Sequence, residues 1–253
     1  MKTTLILDGD IIAYQSAASS EITVDFDCCG GLCCESYPDL LEDKIKSIIL
    51  DWISPIKHFD NILIAITNKE KKNWRKDIYP EYKANRKDVR KPELLVKAIE
   101  YLEENYNCIS TAGLEADDVI GIEATTHEKG IVKIIVSTDK DFLQIPCRQL
   151  NPVTGKKLYP TTEKADWWHM IQTLAGDPVD NYKGVPRVGV KTATKILDNI
   201  EKDSWWNTVL STYENKELTE EYALIQAQIA RICRSSDYDT TKNEVKLWTP
   251  KIS

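Results

Sequence analysis

Short apolar runs with polar ends recur along the first two thirds of the chain. They are TTLILDGD at 3–10, NILIAIT at 61–67 and VKIIVST at 132–138. A continuous apolar run of this length, bounded by polar residues, is typical of a strand that is buried on both faces. The sequence therefore predicts three strands in the interior of a sheet.

Between these strands the apolar residues recur at helical spacing. Residues 39–53 carry an apolar face, and residues 92–104 form a second helical pattern with Pro92 in its first turn. Strands that alternate with helices predict an α/β fold, a parallel twisted sheet flanked by helices on both faces. Ligands of such sheets bind at the carboxyl ends of the strands.

Two further stretches differ from this pattern. Residues 68–91 (NKEKKNWRKDIYPEYKANRKDVRK), the basic segment, are rich in lysine and arginine, and from about residue 161 onward the pattern becomes helical. We therefore predict an α/β core over 1–160, which includes the basic segment, and a helical C-terminal portion over 161–253.

The composition excludes several classes of protein. An apolar content of 42% with seven tryptophans indicates a packed core and excludes a disordered chain. The longest apolar runs, such as ILIAI at 62–66, are too short to span a bilayer. Asp8 interrupts the N-terminal apolar run before a signal-peptide core could form, which predicts a cytoplasmic protein without membrane partners.

Four of the seven cysteines lie in DCCGGLCC, at Cys28, Cys29, Cys33 and Cys34. The cluster could bind zinc, but no second ligand group stands at a familiar spacing. Vicinal cysteines around Gly-Gly also suit a small hairpin of reduced thiols, the interpretation that we favour. A disulfide framework is not expected in a large intracellular chain.

The acidic residues, which give the chain a formal charge of −7, cluster at the ends of predicted strands and helices. The clustered residues are Asp8, Asp10, Glu115, Asp117, Asp118, Asp139, Asp141, Asp177 and Asp180. Asp and Glu favour helix N-termini in any protein, so one cluster alone indicates little. Four clusters that converge on one edge of a parallel sheet repel one another and need a compensating cation.

Hard divalent cations suit these clusters. Mg²⁺ and Mn²⁺ prefer oxygen ligands, whereas zinc would want the His or Cys that the clusters lack. Two such ions about 4 Å apart can activate water and stabilise the leaving oxygen of a phosphodiester. The sequence therefore predicts a two-metal site for phosphodiester hydrolysis.

The segment GVPRVGVKTA at 184–193 matches the helix–hairpin–helix pattern. Gly184 and Gly189 permit a tight turn and close backbone approach, and a helix over about 191–199 directs its first amides at a phosphate oxygen. Such a hairpin contacts the DNA backbone and not the bases, so it binds without sequence preference. An ordinary glycine-capped turn between helices is the alternative, and Lys191 argues against it.

The basic segment offers further contacts with nucleic acid. Its cations could bind phosphates and its aromatic side chains could stack on unpaired bases. A solvated charged loop is the commoner fate of such a run. The regular pattern YPEYKANR favours function, and we predict DNA contacts by Arg75, Tyr82, Lys83 and Arg86.

Taken in order, the motifs resemble the 5′-nuclease superfamily, which includes flap endonucleases, the 5′-nuclease domain of DNA polymerase I and phage 5′–3′ exonucleases. The motifs are LILDGD, YPEYKANR, GLEADDVIG, VSTDKDFLQI and GDPVDNYKGVPRVGVKTATKIL, and they extend from residue 5 to about 197. Five motifs in this order are highly specific. A short chain without a polymerase domain is most similar to the stand-alone phage exonucleases.

The resemblance implies a PIN-like fold with a helical arch or clamp over the site, and it assigns roles by position. Asp8, Glu115, Asp117 and Asp118 would serve a first metal site, and Asp139, Asp141, Asp177 and Asp180 a second. Lys83 and Arg86 match arch residues that engage the scissile phosphate. Gly184, Val185, Gly189 and Lys191 match the helix–hairpin–helix, which in the family often also holds a monovalent cation such as K⁺.

One position departs from the family. Many relatives carry an aspartate after the strand at 61–67, where this chain has Thr67 and Asn68. Our hypothesis is that Asp10, two residues from Asp8, compensates.

The predicted function is a Mg²⁺- or Mn²⁺-dependent 5′–3′ exonuclease acting on 5′ ends of duplex DNA, with RNA–DNA hybrid as a further substrate. Its predicted catalytic residues are Asp8, Lys83, Arg86, Asp117 and Asp139. The alternatives are a structure-selective flap endonuclease, a PIN-type ribonuclease, and a DNA-binding protein without nuclease activity, for which Asn68 is the support.

Overall fold

The structure, a computed structural model, describes residues 1–26, 31–70 and 72–250. Its strands are β1 Lys2–Asp8, β2 Glu21–Phe26, β3 Gly31–Ser36, β4 Asn61–Ala65, β5 Cys108–Ile109, β6 Ile131–Val136, β7 Arg148–Leu150, β8 Lys157–Leu158, β9 Tyr238–Asp239 and β10 Glu244–Val245. Its α-helices are α1 Gly9–Ser19, α2 Pro38–Ile53, α3 Arg75–Ile78, α4 Leu95–Asn105, α5 Ala116–Thr125, α6 Thr162–Ala175, α7 Val190–Leu197, α8 Trp205–Glu214 and α9 Glu220–Ala230.

The central sheet has the strand order β5-β4-β1-β6-β7-β8. Its strands run parallel except for β8, which pairs antiparallel with β7. Leu7 pairs with Ile64 of β4 on one side and with Val136 of β6 on the other, so the carboxyl ends of these three strands lie side by side. The predicted α/β fold with a mainly parallel sheet flanked by helices is confirmed.

Alternate residues of β1 explain why its apolar run is continuous. Leu5 and Leu7 belong to the apolar cluster formed with α1, α2 and α4 on one face of the sheet. Ile6, between them, packs on the other face with Ile120 of α5 and with Ile232, which follows α9. Because both faces are covered by apolar side chains, the strand carries no polar alternation.

The two predicted helices are present with shifted beginnings. The pattern at 39–53 forms α2, and the pattern at 92–104 forms α4, which begins at Leu95 because Pro92 first closes a turn with its carbonyl accepting from the Leu95 amide. No helix in the described part of the chain is long and apolar enough to cross a membrane.

Between Thr162 and Ala230 the C-terminal portion consists of α6, α7, α8 and α9 and their connections. These helices bury a separate apolar cluster that includes Leu174, Leu197 and Tyr213. The helical prediction is wrong after Ala230. There the helix is followed by a short non-helical stretch and by a 3₁₀ turn at Ser235–Asp237, which packs against α5 and leads into the β9–β10 ribbon. Two-residue strands are too short to show an alternating pattern, so no periodicity indicates them.

Residues 31–34 of the cysteine-containing stretch lie on β3, which pairs antiparallel with β2. This pairing agrees with the predicted hairpin, and residues 27–30 lie outside the described residues. Cys28 and Cys29 and the side chain of Cys33 are outside the described part as well, so the state of these thiols stays a prediction.

Candidate active site

The carboxylates at the ends of β1 and β6 are connected by hydrogen bonds. Asp8 ends β1 and caps α1, because its Oδ1 accepts from the Ile11 amide at 3.1 Å. Its Oδ2 accepts from the Ser137 hydroxyl at 3.1 Å. The Asp139 amide donates to the Ser137 Oγ at 3.0 Å, and Asp139 Oδ1 accepts from the Asp141 amide at 2.7 Å. Adjacent parallel strands therefore bring three predicted ligands together.

Two other elements add carboxylates to this edge. Asp117 lies in the first turn of α5, and the loop at 176–184, between α6 and the predicted hairpin, carries Asp177 and Asp180. Repulsion acts between Asp117 and both Asp8 and Asp139, and between Asp139 and the two loop aspartates. The structure thus gathers groups from distant parts of the chain into one electrostatic cluster.

Burial and mutual repulsion disfavour the charged forms of this cluster. Burial, and then the Asp10 charge, raise the pKa of Asp8 to about 7. Burial, and then the Asp139 charge, raise the pKa of Asp141 to about 7. The pKa values of Asp117 and Asp139 are also raised, chiefly by burial. Uncompensated negative charge of this kind is the electrostatic signature of a cation site.

Glu115 is the exception within this edge. Burial raises its pKa, but the charges of Lys83 and Arg75 outweigh burial and lower it to about 2. Lys83 Nζ forms an ion pair with Glu115 and lies 3.6 Å from an oxygen of Asp180, and Arg86 pairs with Asp180 as well. The two cations predicted to engage phosphate therefore lie beside the carboxylate cluster.

The basic segment contacts the loop at 176–184 and forms no helical arch over its described residues. Its helices are the short α3 and a single 3₁₀ turn at Ala84–Arg86. The Lys83 amide donates to the Asp180 carbonyl at 2.9 Å, and Asn85 Nδ2 donates to the Pro178 carbonyl at 2.9 Å. The arch implied by the family resemblance is therefore replaced by a docked chain.

Arg75 and Tyr82 lie inside the protein, which corrects their prediction as DNA contacts. Their exposures are 3% and 2%. The Tyr82 hydroxyl donates to Glu115 at 2.8 Å and contacts Asp180 at 3.0 Å, so it bridges the two predicted metal sites. Neither side chain reaches a ligand at the surface in this conformation.

Asp118 is separated from the other predicted ligands by its own partners. Arg75 binds both of its carboxylate oxygens, at 2.7 and 2.8 Å. Trp74 Nε1 and the Cys233 amide each donate to it at 3.0 Å. We therefore assign Asp118 a structural role and correct its prediction as a metal ligand, because each of its oxygens already accepts two hydrogen bonds, one of them from Arg75.

Asp10 lies directly against Thr67, the second residue after β4, in the region where many relatives carry an additional aspartate. Its Oδ1 accepts from the Thr67 amide at 3.0 Å, and its Oδ2 accepts from the Thr67 hydroxyl at 2.5 Å. The Thr67 Oγ1 in turn accepts from the Ala116 amide at the start of α5, at 2.9 Å. Asn68 is instead directed to Ser110 and Glu70.

The oxygen donors suit a hard cation, although the described residues contain no group of three or more His, Cys, Asp or Glu side chains already arranged to hold a metal ion. Asp141 Oδ1 is buried and has no hydrogen-bond partner within the described structure. A buried carboxylate oxygen without a donor is costly unless a cation binds it. The carboxylate oxygens in this cluster are therefore suitable ligands for a divalent cation; they belong to Asp8, Asp117, Asp139 and Asp141.

The predicted helix–hairpin–helix consists of α6, a hairpin and α7. Gly184 has a φ of 56°, and a side chain there would overlap the Gly176 amide nitrogen, so glycine is required. Gly189 caps α7 and has open space around its missing side chain. Val185 is buried, so only its backbone could meet DNA, whereas Lys191 is exposed.

Two groups at the site were missed from the sequence. Ser137 joins Asp8 to Asp139, and Gln226 on α9 accepts from amides at the start of the hairpin. Ser137 is the second residue of the motif VSTDKD and could have been suspected from that position. Nothing in the sequence near Gln226 indicates its contact.

A prediction about pH follows from the raised carboxylate pKa values. Between pH 4 and 7 the folded protein holds protons on Asp8 and Asp141 that the unfolded chain releases, so the contribution of these two groups to stability falls as the pH rises through this window. The fall amounts to at most about 1.4 kcal/mol per group and pH unit. In EDTA we therefore expect a higher melting temperature at pH 6 than at pH 8, and Asp8→Asn should weaken the dependence. A melting temperature that rises with pH would contradict this account of the cluster.

Comparison with known proteins identifies the family to which the chain belongs. Residues 44–171 match the family model described as the 5′-3′ exonuclease, N-terminal resolvase-like domain. The chain is 32% identical to the exodeoxyribonuclease of Enterobacteria phage T3, over 99% of this chain and 94% of that protein. It is also 32% identical to the exonuclease of Escherichia phage T7, over 98% and 94%. The chain therefore belongs to the 5′–3′ exonuclease family, and the prediction of a 5′–3′ exonuclease is confirmed.

Solved structures share the fold. The T5 D15 protein co-crystallised with metal ions superposes with a TM-score of 0.63 at 16% identity, covering 90% of this chain and 89% of that chain. A variant of the T5 D15 flap endonuclease, in a pseudo-enzyme-product complex with DNA and metal ions, gives 0.61 at 16% identity and the same coverage. At this identity the likeness establishes the fold alone.

Proposed function

We propose that this exonuclease hydrolyses phosphodiesters near 5′ ends of duplex DNA with two Mg²⁺ or Mn²⁺ ions. The observation that carries the proposal is the buried carboxylate cluster, whose pKa values are raised and whose Asp141 Oδ1 lacks a partner among the described residues. Divalent ions at such a site supply hydroxide at neutral pH and offset charge on the leaving oxygen. The T3 relative is named an exodeoxyribonuclease, which supports DNA as the substrate.

The carboxylates of this chain would hold the ions in two groups. Asp8 and Asp117 would serve the first, and Asp139, Asp141 and Asp177 the second. Glu115 and Asp180 are both paired with Lys83 of the basic segment. They could bind metal directly or through water once Lys83 turns toward a substrate.

Lys83 and Arg86 would neutralise charge on the scissile phosphate. Both cations lie beside the acidic edge, and Arg86 is about half exposed. A phosphate that enters there exchanges their carboxylate partners for its own oxygens. This exchange places fixed positive charge where negative charge develops during hydrolysis.

The helix–hairpin–helix would hold the duplex by its backbone. The first amides of α7 have no partner within the helix, and the open space at Gly189 admits a phosphate close to them. Lys191 adds a cation next to this helix end. We include a K⁺ ion at the hairpin in the proposal, because the family resemblance implies one.

Asp10 is proposed to replace the aspartate that relatives carry after β4. Its carboxylate lies against Thr67, the second residue after that strand. We therefore expect Asp10→Ala to reduce the cleavage rate nearly as much as Asp8→Ala. Thr67→Val, which removes a hydroxyl donor and keeps both carboxylates, is the matched control and should cost less. An Asp10→Ala enzyme with the wild-type rate would reject the hypothesis.

The proposed function is tested with 5′-labelled and 3′-labelled duplexes, each incubated with Mg²⁺ and with EDTA, beside a flap substrate and an RNA–DNA hybrid. Short products from the labelled 5′ end that require metal are the expected result. Preferential release of a whole flap would make the enzyme a flap endonuclease. Intact substrates in every lane, despite a gel shift, would overturn the proposal.

A further inference from the structure

We propose that Gln226 is a positioning residue that fixes the DNA-binding hairpin relative to the carboxylates of the active site. This inference rests on the proposed function. Gln226 lies on α9, outside every motif that indicated nuclease activity, and its side-chain oxygen binds two backbone amides, those of Lys183 and Gly184. Its effect would therefore be transmitted through the backbone.

The contact of Gln226 is an acceptor contact made by one atom. Its Oε1 accepts from the Lys183 amide at 3.1 Å and from the Gly184 amide at 3.0 Å. The side chain is 0% exposed, and its Nε2 has no hydrogen-bond partner in the described structure. Because the side-chain amide donors of this buried glutamine are unpaired, the hydrogen bonds that its oxygen accepts are what hold the side chain in place. That oxygen satisfies two consecutive backbone donors.

These two amides stand at a junction. The loop at 176–184 carries Asp177 and Asp180 to the metal-binding edge, and it ends at Gly184, where the hairpin begins. Gly176 and Gly184 pack backbone against backbone, and the Val185 amide donates to the Leu174 carbonyl at 2.8 Å. Gln226 binds the same junction from α9, through the Lys183 and Gly184 amides. The loop and the hairpin therefore meet at a point that α9 fixes from outside.

The position of this junction determines which phosphate can be cleaved. A duplex whose backbone is held at the first turn of α7 presents another phosphate to the carboxylates at a distance set by the connecting chain. If the Lys183 and Gly184 amides lose their acceptor, the hairpin can shift relative to Asp180. The consequence is weaker binding and a wider spread of cleavage positions, because a hairpin that takes up several positions presents different phosphates to the carboxylates.

The test compares Gln226→Met, which keeps the length and removes the acceptor, with Gln226→Glu, which keeps an oxygen at the same reach. Gln228→Met is the matched control, because Gln228 lies on the same helix, is also buried, and contacts the Trp248 carbonyl instead of the hairpin. The readouts are affinity for labelled duplex in EDTA, cleavage rate at saturating duplex with Mg²⁺, and the length distribution of products.

We expect Gln226→Met to bind duplex about tenfold more weakly, which corresponds to the loss of one to two hydrogen bonds. Its products should have a broader range of lengths, and its cleavage rate at saturating duplex should be nearly unchanged. Gln226→Glu and Gln228→Met should resemble the wild type. Near-UV circular dichroism verifies the fold, and Gln226→Asn, whose shorter side chain withdraws the acceptor, replaces Gln226→Met if that variant does not fold.

Wild-type affinity and product lengths in a folded Gln226→Met protein would overturn the inference. A reduced saturated rate with unchanged product lengths would overturn it too, since that pattern indicates general destabilisation. A wild-type protein that binds duplex and cleaves nothing would instead refute the proposed function, and the affinity in EDTA would still decide the role of Gln226.

Discussion

Asp139→Ala is expected to lower the cleavage rate at saturating DNA by about a thousandfold or more, with a change in DNA affinity of less than about threefold. Asp139 lies at the centre of the carboxylate cluster, where burial and the charges of Asp180 and Asp177 act on it. It also accepts from the Asp141 amide and so orients a second carboxylate. The hairpin that would bind the duplex does not depend on it.

Rate and affinity are measured separately, by single-turnover cleavage in Mg²⁺ and by anisotropy in EDTA. Asp139→Asn keeps an acceptor for the Asp141 amide and removes the charge, so a loss similar to that of Asp139→Ala would assign the effect to the charge. Asp43→Ala, at an exposed acid of α2, is the control and should leave both quantities unchanged. Equal losses of rate and affinity in Asp139→Ala would contradict a catalytic role.

Arg75→Met is expected to destabilise the protein by about 3–5 kcal/mol, because it leaves the Asp118 carboxylate buried without its cation. The guanidinium binds both oxygens of Asp118, and it also donates to the carbonyls of Ile229 and Arg231 at the end of α9. The same contacts that exclude Arg75 from DNA therefore join the basic segment, α5 and α9.

The double variant Arg75→Met/Asp118→Asn separates the lost ion pair from the lost packing. We expect it to be more stable than the sum of the single changes predicts, because no unpaired charge remains in it. Urea unfolding in EDTA measures all three. Arg90→Met removes an arginine that binds both oxygens of Glu21 at the surface, and its effect should be much smaller. Equal losses for Arg75→Met and Arg90→Met would contradict the structural role.

The sequence predicted best those helices and strands that have a long apolar pattern, because they are buried on one face or on both faces. The strands at 61–67 and 132–138 and the helix at 39–53 are present within a few residues, because burial on defined faces imposes the pattern that reveals them. The β9–β10 ribbon and the docked course of the basic segment escaped, because short strands and charged turns have no periodicity to detect.

The site divides in the same way. Asp8, Asp139 and Asp141 follow strands, and parallel strands that are neighbours bring such residues together, so their proximity could be inferred. The burial of Arg75 and the engagement of Asp118 could not be inferred. Both depend on a partner more than 40 residues away, and a charged side chain in a basic segment gives no sign that it faces inward.

The sequence by itself determined the class of fold, the kind of enzyme and the supply of oxygen ligands, because strand periodicity and motif chemistry are local properties of the chain. Only the tertiary structure decided how those ligands are used. It assigned Asp118 to Arg75, set Asp10 against Thr67, and brought Gln226 to the start of the hairpin. These contacts come from packing between distant segments, where a buried polar atom must find its partner wherever the fold supplies one.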